Sequence, residues 1–364
     1  MKKITVAIGF ITAIMGSCTK DGIHDDTSFL NTTSVSNPNK IFDISNDNSG
    51  RVTITPTGEG ASAFVVRFGH GSGTSALATV MPGNNVTHVY PEGTYSVVIV
   101  SKDLAGKETE VAYPLQVTYR APENINVTAT SDVYLLKVKA TALYAASYLV
   151  YFGDVANEVG TPLAAGAEVS HTYATAGTYN VRVVALSGGA ARAEKITPVV
   201  IYDPFGLPIT FDQTTVNYFF GTFGGNQQFA VVANPNPSGL NTSARVGRFT
   251  RGTESWSGTY SPLNTPIDMA AGKKIRVLAY NPDAALIGRR LNVELENGSS
   301  IANGVAVVKT AFTTSGVWEE LVFDFGAISA IPANEKFKQL VLRFNDATDG
   351  AGAVIYVDNI RLTN

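Results

Sequence analysis

Apolar and polar side chains alternate along most of the chain beyond about residue 41. A period of two is typical of β-strands with one buried and one exposed face. The C-terminal part shows it most clearly, with apolar faces made of Ile275, Val277 and Ala279, of Leu291, Val293 and Leu295, of Leu321, Phe323 and Phe325, and of Leu340, Leu342 and Phe344. About ten such strands and no helical period after residue 204 predict a two-sheet β-jelly roll.

Upstream of the jelly roll, three short motifs occur twice. Phe68-Gly69 recurs as Phe152-Gly153, His88-x-Tyr90 as His171-x-Tyr173, and the Gly-Thr-Tyr that begins at Gly93 as the one that begins at Gly177. Three motifs in the same order at nearly the same spacing indicate a tandem duplication. We expect the tyrosine of Gly-Thr-Tyr to fill each core, and both histidines to serve structure rather than catalysis.

These motifs resemble the polycystic-kidney-disease (PKD) repeat, although the tryptophan that often precedes the Phe-Gly turn is missing from both copies. The resemblance implies two immunoglobulin-like β-sandwiches in tandem, over 41–120 and 121–203. The jelly roll predicted from the alternation then covers 204–364. The predicted fold class is therefore all-β throughout. Neither copy contains a tryptophan, and their exposed positions are mostly small. We interpret both copies as spacers.

The N-terminus carries an export pattern. Met1-Lys2-Lys3 precedes an apolar run over residues 4–15, which is too short to span a bilayer, and Cys18 follows Gly16-Ser17. This resembles a bacterial lipoprotein signal. The resemblance implies a signal peptide over 1–17, lipidation of Cys18, a flexible tether over 18–40 and anchoring at the outer-membrane cell surface. The alternative is an ordinary secretory signal with an incidental cysteine.

Composition narrows the possible functions. Net charge is −3 with no basic excess, so nucleic acid is not an expected partner. Four histidines and one cysteine leave little material for a transition-metal or thiol site. The chain lacks GxSxG, HExxH and phosphate-loop motifs, so we do not expect an enzyme. A glycoside hydrolase remains an alternative, because PKD repeats accompany secreted hydrolases and that reaction needs only two placed carboxylates.

Candidate binding residues concentrate between Asn234 and Tyr260. This stretch holds one of the two tryptophans, Trp256, and Tyr260 points the same way on an extended strand. A flat aromatic surface beside hydrogen-bonding groups suits sugars, which have apolar ring faces and polar rims. Further candidates for sugar contacts are Arg248, Arg251, Glu254 and, as a weaker aromatic, Tyr218. The alternative for Trp256 is a place in the jelly-roll core.

A rival surface lies opposite the apolar faces of the strands. It contains Tyr280, Arg290 and Glu294, together with Arg276, Asn292, Gln339 and Arg343. If these strands are neighbours in one sheet, their polar sides form a groove along which an extended chain could lie. The alternative is an ordinary hydrated sheet face.

Residues 205–364 resemble the galactose-binding-like jelly rolls found as carbohydrate-binding modules. The resemblance rests on Ile209-Thr210-Phe211-Asp212, Asn234-Pro235, Asn241-Thr242-Ser243, Trp256-Ser257-Gly258, Trp318-Glu319-Glu320-Leu321, Phe323-Asp324-Phe325 and Tyr356-Val357-Asp358-Asn359-Ile360. It implies a polysaccharide ligand, with a β-glucan such as laminarin as the first choice. It also implies a structural calcium ion held by Asp212 and Asp358, since calcium prefers oxygen ligands.

The lipoprotein signal, the two repeats and this module together resemble surface glycan-binding proteins of Bacteroidetes-type polysaccharide-utilisation systems. That resemblance implies two further partners, an outer-membrane glycan importer and its companion binding lipoprotein. The alternative is an adhesin or structural spacer that binds protein or cell wall.

Overall fold

The structure, a computed structural model, describes residues 27–364, where the regular elements are β-strands and a few short 3₁₀ helices. The predicted signal peptide, Cys18 and the first part of the tether lie outside these residues. In the part of the chain that the structure describes, no helix has the length and apolar character needed to cross a bilayer. The all-β fold class is confirmed: two tandem sandwiches precede a jelly roll.

The chain forms two compact units. The first ends at Glu123 and also takes in Leu143–Ala146 and Leu186–Ala193, and the second comprises Asn124–Ala142, Ser147–Ala185 and Glu194–Asn364. The domain limits drawn from the sequence at 121 and 204 stay predictions.

Repeat 1 is a seven-stranded sandwich within the first unit. Its strands are β1 (Ser36–Ile44), β2 (Arg51–Glu59), β3 (Ala63–Arg67), β4 (Leu77–Val80), β5 (Val86–Val89), β6 (Gly93–Lys102) and β7 (Glu108–Val117), with short 3₁₀ helices at Thr27–Asn31 and Gly73–Ala76. One sheet has the order β1-β2-β5 and the other β4-β3-β6-β7. Alternating side chains from both sheets, such as Val52, Phe64 and Val97, fill the core between them.

Repeat 2 has the same architecture. Its strands are β8 (Glu123–Asp132), β9 (Leu135–Leu143), β10 (Ser147–Tyr151), β11 (Thr161–Ala164), β12 (Val169–Thr172), β13 (Gly177–Leu186) and β14 (Arg192–Ile201). The sheet orders β12-β9-β8 and β11-β10-β13-β14 match those of repeat 1 strand for strand. The duplication seen in the motifs thus extends to the whole topology.

The jelly roll lies within the second unit and has ten strands. They are β15 (Gly221–Phe223), β16 (Gln228–Ala233), β17 (Arg245–Thr250), β18 (Gly258–Asp268), β19 (Lys274–Tyr280), β20 (Arg290–Glu296), β21 (Ala306–Ala311), β22 (Trp318–Asp324), β23 (Lys336–Phe344) and β24 (Val354–Thr363), with 3₁₀ helices at Ala284–Leu286, Ala302–Gly304 and Phe325–Ala327. Two five-stranded sheets, β15-β18-β23-β20-β21 and β16-β17-β24-β19-β22, enclose one core. Every apolar face predicted from the alternation contributes buried residues to this core.

The repeated motifs build one local arrangement in each sandwich. The fully buried tyrosine of each core is that of His-x-Tyr: Tyr90 and Tyr173 donate to the carbonyls of Phe68 and Phe152 at 3.1 and 2.9 Å. Tyr95 of Gly-Thr-Tyr, which the sequence suggested as the core residue, is only partly buried and packs against this core. The Phe-Gly glycine is needed because Gly69 has φ 69° and a Cβ there would lie 2.3 Å from the Ser96 carbonyl oxygen.

The two histidines differ in their partners. His88 stacks on Phe68 and its Nε2 lies 3.0 Å from His70 Nδ1, whereas His171 stacks on Phe152 and its Nε2 lies 2.7 Å from Asp154 Oδ2. Burial and the neighbouring His70 lower the pKa of His88. The rings of Tyr90 and Tyr95 also face His70. Repeat 1 therefore favours the neutral form of His88, whereas in repeat 2 the corresponding histidine has a carboxylate as its partner.

This difference predicts an acid-sensitive first repeat. A lowered pKa in the folded state means that the stability contributed by neutral His88 is complete above about pH 6.5 and is lost as the pH falls through the folded-state value. We expect His70→Asp, which places in repeat 1 the carboxylate found in repeat 2, to raise the melting temperature of repeat 1 at pH 5 by a few degrees. About 1 kcal/mol corresponds to roughly 4–8 °C in a domain of this size. Scanning calorimetry at pH 5 and pH 8 measures this; an equal shift at both pH values would contradict it.

Candidate functional site

The stretch Asn234–Tyr260 crosses from one sheet of the jelly roll to the other. Residues 245–250 are strand β17 in one sheet, and residues 258–260 begin β18 in the other. The segment between them therefore lies at one end of the sandwich, where it turns over the sheet edge. The polar, turn-forming residues of 251–257 suit such a connection because a turn exposes its backbone to water.

Trp256 stands at this crossing with its side chain outward. It is 54% exposed, and its ring lies nearly parallel to that of Phe223, with 6.2 Å between ring centroids and 7° between planes. The other tryptophan, Trp318, is only 5% exposed and donates from Nε1 to the Asn236 carbonyl at 2.8 Å. Of the two indoles, Trp256 is therefore the one presented to solvent as a flat surface.

Tyr260 extends the aromatic surface along β18. Its outward ring lies over Gly221 on β15, where a Cβ would come within 2.4 Å of the ring, so only glycine permits this close approach. Phe219, which is 49% exposed, meets Tyr260 edge-on with 5.9 Å between centroids. Phe219 thus adds a second exposed ring beside Tyr260.

Polar side chains occupy the same face on the next strands. One row of register partners crosses the sheet from β18 through β23 and β20 to β21. Its members are Gly258, Arg343, Asn292 and Lys309. Since neighbouring strands lie about 4.8 Å apart, this row spans roughly 19 Å from β15 to β21. We call the outer surface of this sheet, from Trp256 and Phe223 to Lys309, the platform face.

A charged pair lies at the centre of the platform face. Arg343 Nη1 donates to Glu294 Oε1 at 3.0 Å, and the side chains are 23% and 9% exposed. Burial raises the pKa of Glu294, although Arg343 acts in the opposite direction. Arg343 Nη2 also approaches the Ser255 carbonyl at 3.4 Å, beside Trp256. This brings the charged pair next to the aromatic surface.

Two buried polar atoms at or beside this pair lack hydrogen-bond partners. Arg343 Nε and the Oδ1 of fully buried Asn292 have no hydrogen-bond partner within the described protein. Buried polar atoms without partners cost free energy, about 1–3 kcal/mol each by mutational measures. A hydroxyl-rich ligand that shifts the Arg343 side chain would supply the missing partners.

Arg251 does not lie on this surface. It is 3% exposed, its Nε donates to the Phe344 carbonyl at 2.8 Å, and Nη1 and Nη2 donate to the carbonyls of Gly350 and Thr348. Burial lowers its pKa. The predicted hydroxyl contact is corrected to a clamp on the 345–353 loop, because the guanidinium is buried and donates to three backbone carbonyls.

The clamp acts on the Trp256 connection through Asp349. The Asp349 carboxylate accepts from Ser255 N at 2.8 Å, next to Trp256 in the chain. Glu254 is half-buried at the same turn and accepts from the Thr253 hydroxyl at 3.2 Å. It therefore lies at the rim of the aromatic surface.

The rival groove predicted from strand faces is divided between the two sheets. Arg290 and Glu294 project from β20 on the platform face, with exposed Arg290 at its edge. Tyr280 and Arg276 lie on β19, in the opposite sheet. Tyr280 packs against Trp318 and Tyr356, and Arg276 binds Glu320. The alternation predicts each face correctly but does not specify which strands are neighbours.

Two other candidates are also corrected. Arg248 lies on β17 in the opposite sheet, where it pairs with Tyr356. Tyr218 turns inward and contacts the rings of Phe205 and Phe211 at centroid distances of 5.8 and 5.2 Å. The adjacent residue, Phe219, takes the outward position. Tyr218 is therefore part of the packing around the jelly-roll core and not of the exposed aromatic surface.

Asp358 lies beneath the 234–243 loop on the opposite sheet. It is fully buried, accepts from Asn241 Nδ2 at 2.9 Å and from Asn359 N at 2.7 Å, and its pKa is raised by burial and by Asp212. No three acidic, histidine or cysteine side chains converge anywhere in residues 27–364. A buried carboxylate repelled by a second carboxylate suits a calcium ion that takes its remaining ligands from other oxygens.

The middle of the chain matches a known family. Residues 116–200 match the family model described as PKD domain. This range covers most of repeat 2. No curated protein sequence matches the chain.

Several solved structures align with it at low identity. One of carbohydrate-binding modules from the β-sandwich superfamily covers 68% of this chain and 100% of its own, at 15% identity and TM-score 0.30. SGBP-B from a complex xyloglucan utilization locus in Bacteroides uniformis covers 91% of this chain and 100% of its own, at 11% identity and TM-score 0.26. A family 11 module from Clostridium thermocellum, in complex with a β-1,3-1,4-mixed-linked tetrasaccharide, covers 42% of this chain and 92% of its own. The identity is 14% and the TM-score is 0.30. Such TM-scores assign no ligand to this chain.

Proposed function

We propose that the chain binds a polysaccharide through the platform face and does not cleave it. The observation that carries the proposal is the outward Trp256, stacked on Phe223 beside the Arg343–Glu294 pair. An aromatic ring receives the apolar face of a sugar, and charged side chains receive its hydroxyls. With two or three such contacts, the expected affinity is micromolar to millimolar, about −4 to −8 kcal/mol.

The placement of the carboxylates favours binding over hydrolysis. Glu294 and Glu296 project from the same side of one strand, each engaged by a neighbour on β23, namely Arg343 and Gln339. A glycosidase holds its two carboxylates on either side of the scissile bond. Two acids side by side on a strand would contact the same side of a bound chain.

At finer detail, we propose that the ligand is a β-glucan such as laminarin. The chain would act as a lipoprotein anchored through Cys18 at the outer-membrane cell surface and would present glycan to an importer and its companion binding lipoprotein. The sequence resemblances given above support this role. Weak single-site affinity is sufficient there, because many tethered copies raise the effective concentration.

Affinity gel electrophoresis tests the proposed function. We expect the full chain to be retarded in gels that contain laminarin, and less so in mixed-linkage β-glucan, xyloglucan, xylan or a polymer-free control. Equal mobility in every gel would refute glycan binding. Release of reducing sugar from a polymer in the panel, lost in Glu294→Gln, would instead establish a hydrolase.

We further propose that Asp358 and Asp212 contribute to a structural calcium site. Because the pKa of Asp358 is raised in the folded chain, its protonated form adds stability that is present below the ordinary aspartate pKa and is lost as the pH rises through the folded-state value. Bound calcium would instead compensate the charge of the ionised Asp358 carboxylate. Asp358→Asn removes the charge while keeping the shape of the side chain.

Calcium should therefore stabilise the wild-type jelly roll and not the Asp358→Asn variant. We expect millimolar calcium to raise the wild-type melting temperature by several degrees at pH 7, since ligand at 100 times its Kd contributes about 2.7 kcal/mol. In chelator, the variant should be at least as stable as the wild type. The measurement is a thermal melt of both proteins with and without calcium, and an identical calcium response would rule out this site.

A further inference from the structure

A cleft lies where repeat 2 adjoins the jelly roll, within the second unit. It has a volume of about 340 Å³. Asp132 at the end of β8 and Tyr202 in the linker line one side, and Asn217, Phe219 and Pro262 of the jelly roll line the other. Ligand sites occur preferentially at such junctions.

This cleft is continuous with the platform face. Phe219 meets Tyr260 edge-on and also lines the cleft, as does Pro262, the next outward residue after Tyr260 on β18. From Gly258 to Asn264, which also lines the cleft, β18 runs about 20 Å. An extended chain stacked on Trp256 and Tyr260 would thus enter the cleft without leaving the surface.

Hydrogen bonds hold the two walls of the cleft in place. Tyr134 of repeat 2 donates to Asp203 Oδ1 at 2.6 Å, and Asp203 N donates to the Thr215 carbonyl at 2.7 Å. Asn264 fixes the linker from the jelly-roll side, because its Oδ1 accepts from Phe205 N at 2.9 Å. The cleft is therefore formed before any ligand arrives, which reduces the ordering cost of binding.

The chemistry of the cleft repeats that of the platform face. Its rim offers an exposed carboxylate (Asp132), an exposed amide (Asn217) and two aromatic rings (Tyr202 and Phe219). Carboxylates and amides contact sugar hydroxyls, and aromatic rings contact sugar faces. These are the same two kinds of contact that the Glu294 and Trp256 region provides.

We propose that this cleft is the second part of the glycan site, so that repeat 2 contributes sugar contacts and is more than a spacer. The inference rests on the proposed glycan binding and adds the ligand class: a chain of several sugar units lying along the sheet, whose distal units reach Asp132 and Asn217. A short oligosaccharide fills the Trp256 region alone.

The test compares short and long oligosaccharides by isothermal titration of the full chain. The probes are laminaritriose and laminarihexaose, or the three- and six-unit fragments of whichever polysaccharide retards the wild type in gels. We expect the wild type to bind the six-unit chain at least tenfold more tightly. The double variant Asp132→Ala/Asn217→Ala should lose about fivefold or more for the six-unit chain and less than twofold for the three-unit chain.

Asp43→Ala is the matched control, because Asp43 is an exposed carboxylate near the corresponding end of β1 in repeat 1. It should leave both affinities unchanged.

If the double variant melts early, the single variant Asp132→Asn, which keeps the side-chain shape, replaces it. The loss of affinity for the six-unit chain is then again compared with the loss for the three-unit chain. Equal wild-type affinity for both lengths, or an unaltered six-unit affinity in the cleft variants, would overturn the inference while glycan binding stands. Failure of every panel polysaccharide to bind would refute both.

Discussion

Trp256→Ala is expected to weaken glycan binding at least tenfold, about 1.4 kcal/mol, while leaving the fold intact. The indole is 54% exposed, so its loss creates no core cavity. It does remove the ring on which a sugar face would stack, and an aromatic contact contributes roughly 0.5–1.5 kcal/mol beyond its buried area. Isothermal titration against laminarin measures the affinity, and a thermal melt verifies the fold.

The other tryptophan supplies the matched control. Trp318→Phe removes the Nε1 hydrogen bond to Asn236 and part of the apolar cluster with Tyr280 and Leu278. It should lower the melting temperature and leave affinity within twofold. An unchanged affinity in a folded Trp256→Ala protein would shift the site away from this tryptophan.

Arg251→Met should cost the jelly roll about 3 kcal/mol or more. The guanidinium is 3% exposed and donates to three backbone carbonyls, which the substitution leaves without a charged donor. Hydrogen bonds from charged groups contribute about 1.5–3 kcal/mol each, and buried carbonyls without partners add a penalty. Denaturant unfolding measures the change as a lower midpoint.

Glycan affinity should also fall in Arg251→Met, but indirectly. The 345–353 loop presents Asp349 to the Ser255 amide, so a loosened loop no longer fixes the orientation of Trp256. Arg248→Met is the control: Arg248 is three residues away on the opposite sheet, and we expect less than about 0.5 kcal/mol from it. If Arg251→Met kept full stability but lost glycan affinity, the direct contact between Arg251 and sugar hydroxyls expected from the sequence would be correct after all.

The strands and their buried faces could be predicted from the sequence because alternation is a local property. The apolar faces predicted at 275–279 and 291–295 lie on β19 and β20 and are buried. The spacing of the repeated motifs likewise indicated a tandem duplication, and the structure shows two sandwiches with matching strand order. Each of these depends on side chains close together in sequence, where a period or a repeat is visible.

The arrangement of the site depends on pairing across long separations, which no local pattern encodes. Strands β19 and β20 are consecutive in sequence but belong to different sheets, so Tyr280 and Glu294 lie on opposite sides of the sandwich. Arg251 is polar and lies in a turn-rich segment, yet its partners are about 95 residues away and enclose it. The same reasoning applies to Arg343, which becomes central only through its pairing with Gly258 and Asn292.

Part of the rival surface adjoins the Trp256 turn, whereas Tyr280 and Arg276 lie on the opposite sheet. The Trp256 turn and the polar side of β20 meet on the platform face, joined by Arg343, which reaches both Ser255 and Glu294. The other half of the Asn234–Tyr260 stretch covers the opposite sheet, where Asn241 holds Asp358. One segment thus contributes to both the proposed glycan site and the proposed calcium site.

The most direct test of the central proposal is a crystal structure of the full chain grown with laminarihexaose. We expect a glucose ring against the Trp256 indole, hydroxyls bonded to Arg343 and Glu294, and the chain running along β18 past Tyr260. Sugar bound instead on the opposite sheet beside Arg248 and Tyr280, or a platform face left empty at saturating oligosaccharide, would contradict it.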